Sequence, residues 1–241
     1  MITFFASPRP FAGEFREIQR TAIASWLSAA PGAQAILIGE AEGAHEMAES
    51  FGIEHYGDVA TNEWGTELAP DVFRIGIEHA RHDWICALNA DNVVSADIVT
   101  AIEALSDVEK PFVIGQRTDV DPSGKEEPQL HQVNGVDWFL FRKGTVPADD
   151  IPPFAVGRTC HDNWLVWAAV ERWGLTVIDA THDVLVIHLN HGYPEYGSKE
   201  LMLQSAEKKQ NARILWDNAP RPYRIDDAPW ALVNGEMKPR G

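Results

Sequence analysis

The stretch WICALNADNVVS, residues 84–95, decides how the chain is read. Trp84 to Leu88 form a short apolar run of the length a buried strand takes. Asn89, Ala90, Asp91 and Asn92 follow at once, so polar side chains stand at the carboxyl end of that strand. Open α/β sheets bind their ligands at this end. An acidic turn there offers hard oxygen ligands to a divalent cation, and such a cation bridges a diphosphate. The same residues also suit a strand-to-helix turn with Asn92 or Ser95 as N-cap, and the segment alone leaves both readings open.

Outward from it, strands and helices alternate. ITFF at 2–5, AILIG at 35–39 and a shorter run at 53–56 read as strands. Between them, Phe15, Ile18, Ala22, Ile23 and Trp26 mark one apolar face of a helix that begins near Gly13 and ends at Pro31-Gly32. A short helix over GAHEMAESF and another over 71–81 complete the first half. Such alternation implies parallel strands with helices on the sheet faces. Downstream the spacing predicts a helix over 96–105, a strand at 111–115, a polar loop at 119–130 and a strand at 136–141. A helix from His161, strands at 175–179 and 184–189, and one continuous helix over 199–216 follow. The Pro-rich remainder, 217–241, is expected as a tail lying on the body. The fold class is α/β, one domain over 1–216 with a mixed, mostly parallel sheet; residues 1–95 form a nucleotide-binding-like half, and 96–195 supply loops that complete a site.

Composition narrows the function. The 241 residues, 45% of them hydrophobic, suffice to bury a core without staples. Charge arithmetic gives 20 − 36 = −16, which disfavours nucleic acid and anionic membranes as partners. An anionic ligand would need a metal ion or a few placed arginines. Cys86 and Cys160 alone build no disulfide framework, which points to a reducing compartment. The opening MITFFASPRP lacks the regions of a signal peptide, and WLVWAAV at 164–170 falls far short of the ~20 residues of a membrane span. A cytoplasmic protein with no integral membrane segment is expected.

Two further segments carry chemistry. In PPFAVGRTCHDNWLVW, 152–167, Asp162 sits near a helix start, where it suits either a capping role or function; Trp164 and Trp167 read as core. In VIDATHDVLVIHLNHGY, 177–193, His182, His188 and His191 fall close together with Asp179 and Asp183. That density at a strand end suits a metal or phosphate site, and each histidine singly suits a structural role. No GxGxxG follows the first strand, and no GxxxxGK[ST], GxSxG or HEXXH motif occurs.

Taken in order, ASPRPF, NEWGTELAPDVF, LNADNVV, FVIGQRTDVD, VDWFLF, IPPFAVGRTCHDNWLV and VIDATHDVLVIHLNHGY resemble glycosyltransferases of the GT-A fold over roughly residues 1–195. The resemblance implies a nucleotide-diphosphate sugar as donor and Mn²⁺ or Mg²⁺ as cofactor. It makes Asp91 the metal ligand of a DxD-like motif whose first position is Asn89. His188 or His191 would complete the metal site. Ser7, Pro8, Arg9 and Glu40 would line the nucleotide, and Arg117 or Arg158 would contact phosphate. Asp162 takes the place of the catalytic carboxylate of inverting members, accepting the acceptor hydroxyl's proton. The acceptor would be a glycan or a lipid-linked glycan, in polysaccharide biosynthesis; oligomeric state stays open. Three alternatives are a sugar-phosphate nucleotidylyltransferase, a catalytically silent carbohydrate-binding module of the same fold, and a metal-dependent hydrolase built on the His/Asp cluster. The single glycine of ASPRPFAGEF argues against the first.

Overall fold

The computed structural model describes residues 1–192 and 196–240; the end of the second half, 193–195, lies outside the described residues. Its first half runs β1 (Ile2–Ala6), α1 (Glu14–Ala29), β2 (Gln34–Ile38), α2 (Ala44–Phe51), β3 (Glu54–Tyr56), α3 (Ala69–His79) and β4 (Trp84–Leu88). β1, β2 and β4 are buried at every residue, as unbroken apolar runs must be when helices cover both faces of a sheet. Next come β5 (Asn92–Val94), α4 (Asp97–Ala104), β6 (Pro111–Ile114), β7 (Thr118–Val120), β8 (Gln129–Leu130) and β9 (Trp138–Arg142). α5 (His161–Trp167) continues into a π-helical segment, Ala168–Arg172. β10 (Thr176–Asp179), β11 (Val186–Leu189), α6 (Lys199–Leu203), α7 (Ala206–Asn218), β12 (Trp230–Val233) and β13 (Glu236–Pro239) complete the order.

The main sheet has the order β13-β12-β10-β6-β9-β4-β1-β2-β3. Its ladders are parallel from β4 through β1 and β2 to β3, and from β6 through β10 to β12. β9 runs antiparallel between β4 and β6. This is the mixed, mostly parallel α/β sheet flanked by helices that the sequence predicts. Each face carries its own apolar core, with Trp26 and Trp138 in one and Phe154 and Trp164 in the other. Trp167 packs against the second, so both tryptophans of α5 are core residues as expected.

Four expectations are corrected. Residues 119–130 are not wholly loop: β7 and β8 flank a turn and join a second sheet of order β5-β11-β7-β8. Strands of three and two residues are too short to show a period in sequence. Asn92 lies in β5 rather than capping a helix, and no side chain caps α4. The 199–216 helix is two helices: the first ends at Leu203 with Gln204 as its C-cap, and Ser205 Oγ accepts from the Lys208 N–H (3.2 Å) as N-cap of the second.

The 217–241 stretch differs most from expectation. Its described part forms β12 and β13, which extend the main sheet beyond β10, with Leu232 buried in the core. Asp183 holds the hairpin turn, accepting from the Asn234 N–H (2.9 Å) and the Gly235 N–H (2.6 Å). Arg240 reaches back to Asp179 at 2.5 Å. Asp183→Ala is expected to cost about 1 kcal/mol. A thermal melt should show this as a Tm lower by about 2–4 °C.

Candidate active site

The second sheet assembles a His/carboxylate cluster. β11 sits between β5 and β7, and its ladder registers set His188 beside Asn92 on one side and beside Asp119 on the other. α1 fixes β5 from below: Trp26 Nε1 donates to the Asn92 carbonyl (2.8 Å), and the Val94 N–H donates to Ser25 Oγ (3.0 Å). Asp91, one residue before β5, therefore meets both histidines that the sequence offers. Its Oδ2 lies 3.0 Å from His191 Nε2 and 3.6 Å from His188 Nε2. One ligand atom from each of Asp91, His188 and His191 falls within 4.8 Å of the others. Burial opposes ionisation of Asp91, but the two imidazoles outweigh it and hold the carboxyl far below the usual carboxylate range. Conversely, burial opposes the charge on His191, and the bond to Asp91 reverses this and raises its pKa. Asp91 Oδ1 is buried with no hydrogen-bond partner among the described residues. One carboxylate and two imidazoles at this spacing fit a divalent transition ion, and the orphaned oxygen marks where a ligand belongs.

The cluster at 177–191 thus divides. His188 and His191 join Asp91, whereas His182 is exposed and Asp179 and Asp183 hold the C-terminal hairpin.

Asn89 points elsewhere. Its Nδ2 donates to Asp137 Oδ1 at 2.8 Å, and its N–H donates to the Asp137 carbonyl at 3.0 Å. Asp137 also pairs with Arg117. The departure from a DxD pattern at this position has a physical reason: an aspartate there would face the Asp137 carboxylate in a part-buried site. Asn89→Asp is expected to destabilise the protein by roughly 1–3 kcal/mol at neutral pH, easing as pH falls and one carboxyl protonates. Urea titrations at two pH values check this.

Arg117 lines the cleft with its charge already matched. Its Nε bonds Asp119 Oδ1 (2.8 Å), and a second nitrogen reaches Asp137. Asp119 Oδ2 lies 2.6 Å from His131 Nδ1. Burial raises the Asp119 pKa, but the His131 and Arg117 bonds outweigh it and leave the group below its ordinary value. Asp119, His131 and Asp137 are members of the site that the sequence reading does not single out. Their signal is faint: Asp119 and Asp137 stand in RTDVD and VDWFLF, and nothing in either motif shows that they converge.

Asp162 is presented by a strained turn. Thr159 (φ 61°) and Cys160 (φ 72°) are consecutive non-glycine residues in the left-handed region, at a cost of roughly 1–2 kcal/mol each. Buried Asn211 of α7 holds that turn, donating to the Ala155 carbonyl (2.9 Å) and the Thr159 carbonyl (2.9 Å). The turn sets Asp162 in the first turn of α5, nine-tenths buried, where it is not the N-cap. Its Oδ2 accepts from the Val136 N–H at 3.4 Å, and its Oδ1 is buried with no hydrogen-bond partner among the described residues. Burial pushes its pKa up and outweighs the opposite pull of His161, and the negative charge of Asp137 adds a smaller upward push. A carboxylate kept above its ordinary pKa and short of partners is suited to taking a proton.

All the residues predicted for the site line one cleft of about 1270 Å³. Ser7, Pro8 and Arg9 follow β1, and Gln19 Oε1 accepts from the Arg9 N–H at 2.8 Å. Glu40 lies after β2 on the same wall. Glu67, another unpredicted member, is pushed up by burial and bonds Ser7. Arg158 is bound to Glu207 of α7 at 2.7 Å and reaches Thr66 Oγ1 at 3.3 Å. Asp91 and Asp162 open into the same space, linked through the residues just before β9: Asp162 on Val136, and Asn89 on Asp137.

Among the described residues, no helix is long and apolar enough to cross a membrane. Neither a protein-family model nor a curated protein matches the chain. Solved structures do. Residues 1–349 of Staphylococcus aureus TarS with UDP match at 10% identity and TM-score 0.55, over 90% of this chain and 70% of that one. Glucosyl-3-phosphoglycerate synthase from Mycobacterium tuberculosis with Mg²⁺ and UDP matches at 10% identity and TM-score 0.54, over 92% and 79%. A mycobacterial protein matches at 12% identity and TM-score 0.57, over 99% and 84%. Sheet order, layering and these likenesses together show that the chain has the GT-A fold of nucleotide-diphospho-sugar transferases.

Proposed function

We propose that this protein is a metal-dependent, inverting glycosyltransferase. It moves a sugar, of hexosyl or deoxyhexosyl type, from a nucleotide-diphosphate donor to a hydroxyl on a glycan or lipid-linked acceptor, in polysaccharide biosynthesis. One observation carries this reading: Asp91, His188 and His191, whose ligand atoms lie within 4.8 Å of one another, share a single cleft with the buried carboxylate of Asp162. Fold neighbours that hold UDP, one of them with Mg²⁺, support the donor class.

Asp91, His188 and His191 would hold the ion, and two imidazoles favour Mn²⁺ over the oxygen-loving Mg²⁺. When bound, the ion supplies positive charge to the departing nucleoside diphosphate. That supply matters because Arg117 and Arg158 are already matched by Asp119, Asp137 and Glu207 and bring little net charge, although their remaining N–H groups can still orient phosphate. Ser7, Pro8, Arg9 and Glu40 would form the nucleotide wall, with Asn89 keeping Asp137 in place beneath it. Asp162 would take the acceptor's proton as its oxygen attacks the anomeric carbon. Exclusion of water from its surroundings keeps it basic enough for the task.

The test is a donor panel of nucleotide sugars, each with Mn²⁺ or Mg²⁺, scored for nucleoside diphosphate release. Acceptor-stimulated release with Mn²⁺ is the expected result. Pyrophosphate release would instead make the protein a nucleotidylyltransferase, and absence of metal-dependent donor binding would make it a silent module.

A further inference from the structure

The two histidines beside Asp91 are oriented by different means. His191 Nδ1 lies 2.8 Å from the Gly192 carbonyl, which can only accept, so Nδ1 carries a proton whatever the charge on the ring, and Nε2 is the nitrogen that faces Asp91. The ring edge of Phe15, 4.7 Å away between centroids, packs against it. His188 has no such carbonyl. Its Nδ1 is buried, has no hydrogen-bond partner among the described residues, and faces Asp119 Oδ1 at 3.4 Å. Closing by about half an ångström would bring that contact to ordinary hydrogen-bond length. Asp119 is itself fixed, by Arg117 on Oδ1 and His131 on Oδ2. The parallel ladder that pairs His188 with Asp119 puts both side chains on one face of the second sheet, so the approach is set by backbone register.

We infer that Asp119 is the positioning residue of the metal site: it accepts a hydrogen bond from the His188 Nδ1–H and thereby presents Nε2 as a ligand beside Asp91. His131 and Arg117 keep Asp119 turned toward that ring. This inference rests on the metal-binding reading of the cleft and adds to it a residue that touches neither donor nor ion. Carboxylate–histidine–metal arrangements of this kind fix the tautomer and strengthen the ligand, and their loss costs about 10–100-fold in metal affinity.

The experiment titrates Mn²⁺ into the protein with UDP present, following free Mn²⁺ by electron paramagnetic resonance, and counts coordinated imidazole nitrogens by electron spin-echo modulation. Wild type is expected to take up Mn²⁺ with two nitrogen couplings. Asp119→Ala is expected to bind about 10–100-fold more weakly and to lose one coupling. Asp119→Asn, which keeps the shape and the bond to Arg117 but not the charge, should fall between; it also serves if the alanine variant does not fold. Wild-type Mn²⁺ affinity with both couplings in Asp119→Asn, or in a folded Asp119→Ala, overturns the inference. No Mn²⁺ uptake by wild type would sink the metal site itself, and is told apart from failure of the Asp119 role by appearing without any substitution.

Discussion

Asp162→Asn should lower turnover by about 10²–10⁴-fold while the donor still binds, because the amide retains the shape of the side chain but accepts no proton. Stability should move the other way. The Asp162 carboxyl is raised by burial first and by Asp137 second, so its ionised form is disfavoured in the folded protein at neutral pH. A group raised in this way makes the fold less stable above its folded pKa than below its unfolded one. Removing the charge should therefore leave Tm unchanged or higher, which separates loss of chemistry from loss of structure. In wild type, log kcat/KM should rise with unit slope as pH climbs through the raised Asp162 value, then level off. Asp137→Asn, by deleting the like charge, should shift that limb to lower pH. Unchanged turnover in Asp162→Asn would remove the residue from the base role.

Asp91→Asn should have an effect of similar size by another route. The carboxylate meets both histidines, and its buried Oδ1 lacks a partner among the described residues. An amide there offers a neutral oxygen to the ion and removes the charge that draws the two rings together. Mn²⁺-dependent donor affinity should fall at least about 10-fold and turnover about 10³-fold, each 1.4 kcal/mol of lost ion binding being a factor of ten. Calorimetric titration of UDP with and without Mn²⁺ reads this directly. Wild type should show a metal-dependent gain in affinity, and Asp91→Asn should show little or none. Equal metal-dependent gains in the two proteins would place the ion elsewhere.

Both variants reach function through one geometric relation: Asp91 and Asp162 open into the same cleft. Their chain separation gives no hint of this. The two residues just before β9 tie both regions together: Val136 bonds Asp162, and Asp137 bonds Asn89 of the turn that carries Asp91. β9 enters the sheet antiparallel between β4 and β6, so its first residues meet the carboxyl ends of both neighbours. That insertion brings the two carboxylates to one space.

What sequence alone determined here is the layered α/β body and the list of candidate site residues. Apolar runs such as WICAL and the helical spacing from Phe15 to Trp26 are local patterns, and burial follows from them whatever the rest of the chain does. The polar residues after β4, Asp162 at a helix start and the histidines ending β11 stand out for the same reason: function at strand ends interrupts hydrophobicity. Only the tertiary structure decided which of these groups meet. The small sheet β5-β11-β7-β8 is made of strands of two to four residues, whose pairing is non-local, and it alone selects His188 and His191 over His182 and brings up Asp119. The C-terminal hairpin likewise joins the sheet by a long-range ladder, β12 on β10, and Asp183 and Asp179 tie it down although they are distant in sequence from the turn and arginine they hold. Local periodicity encodes burial; long-range ladder register encodes the site.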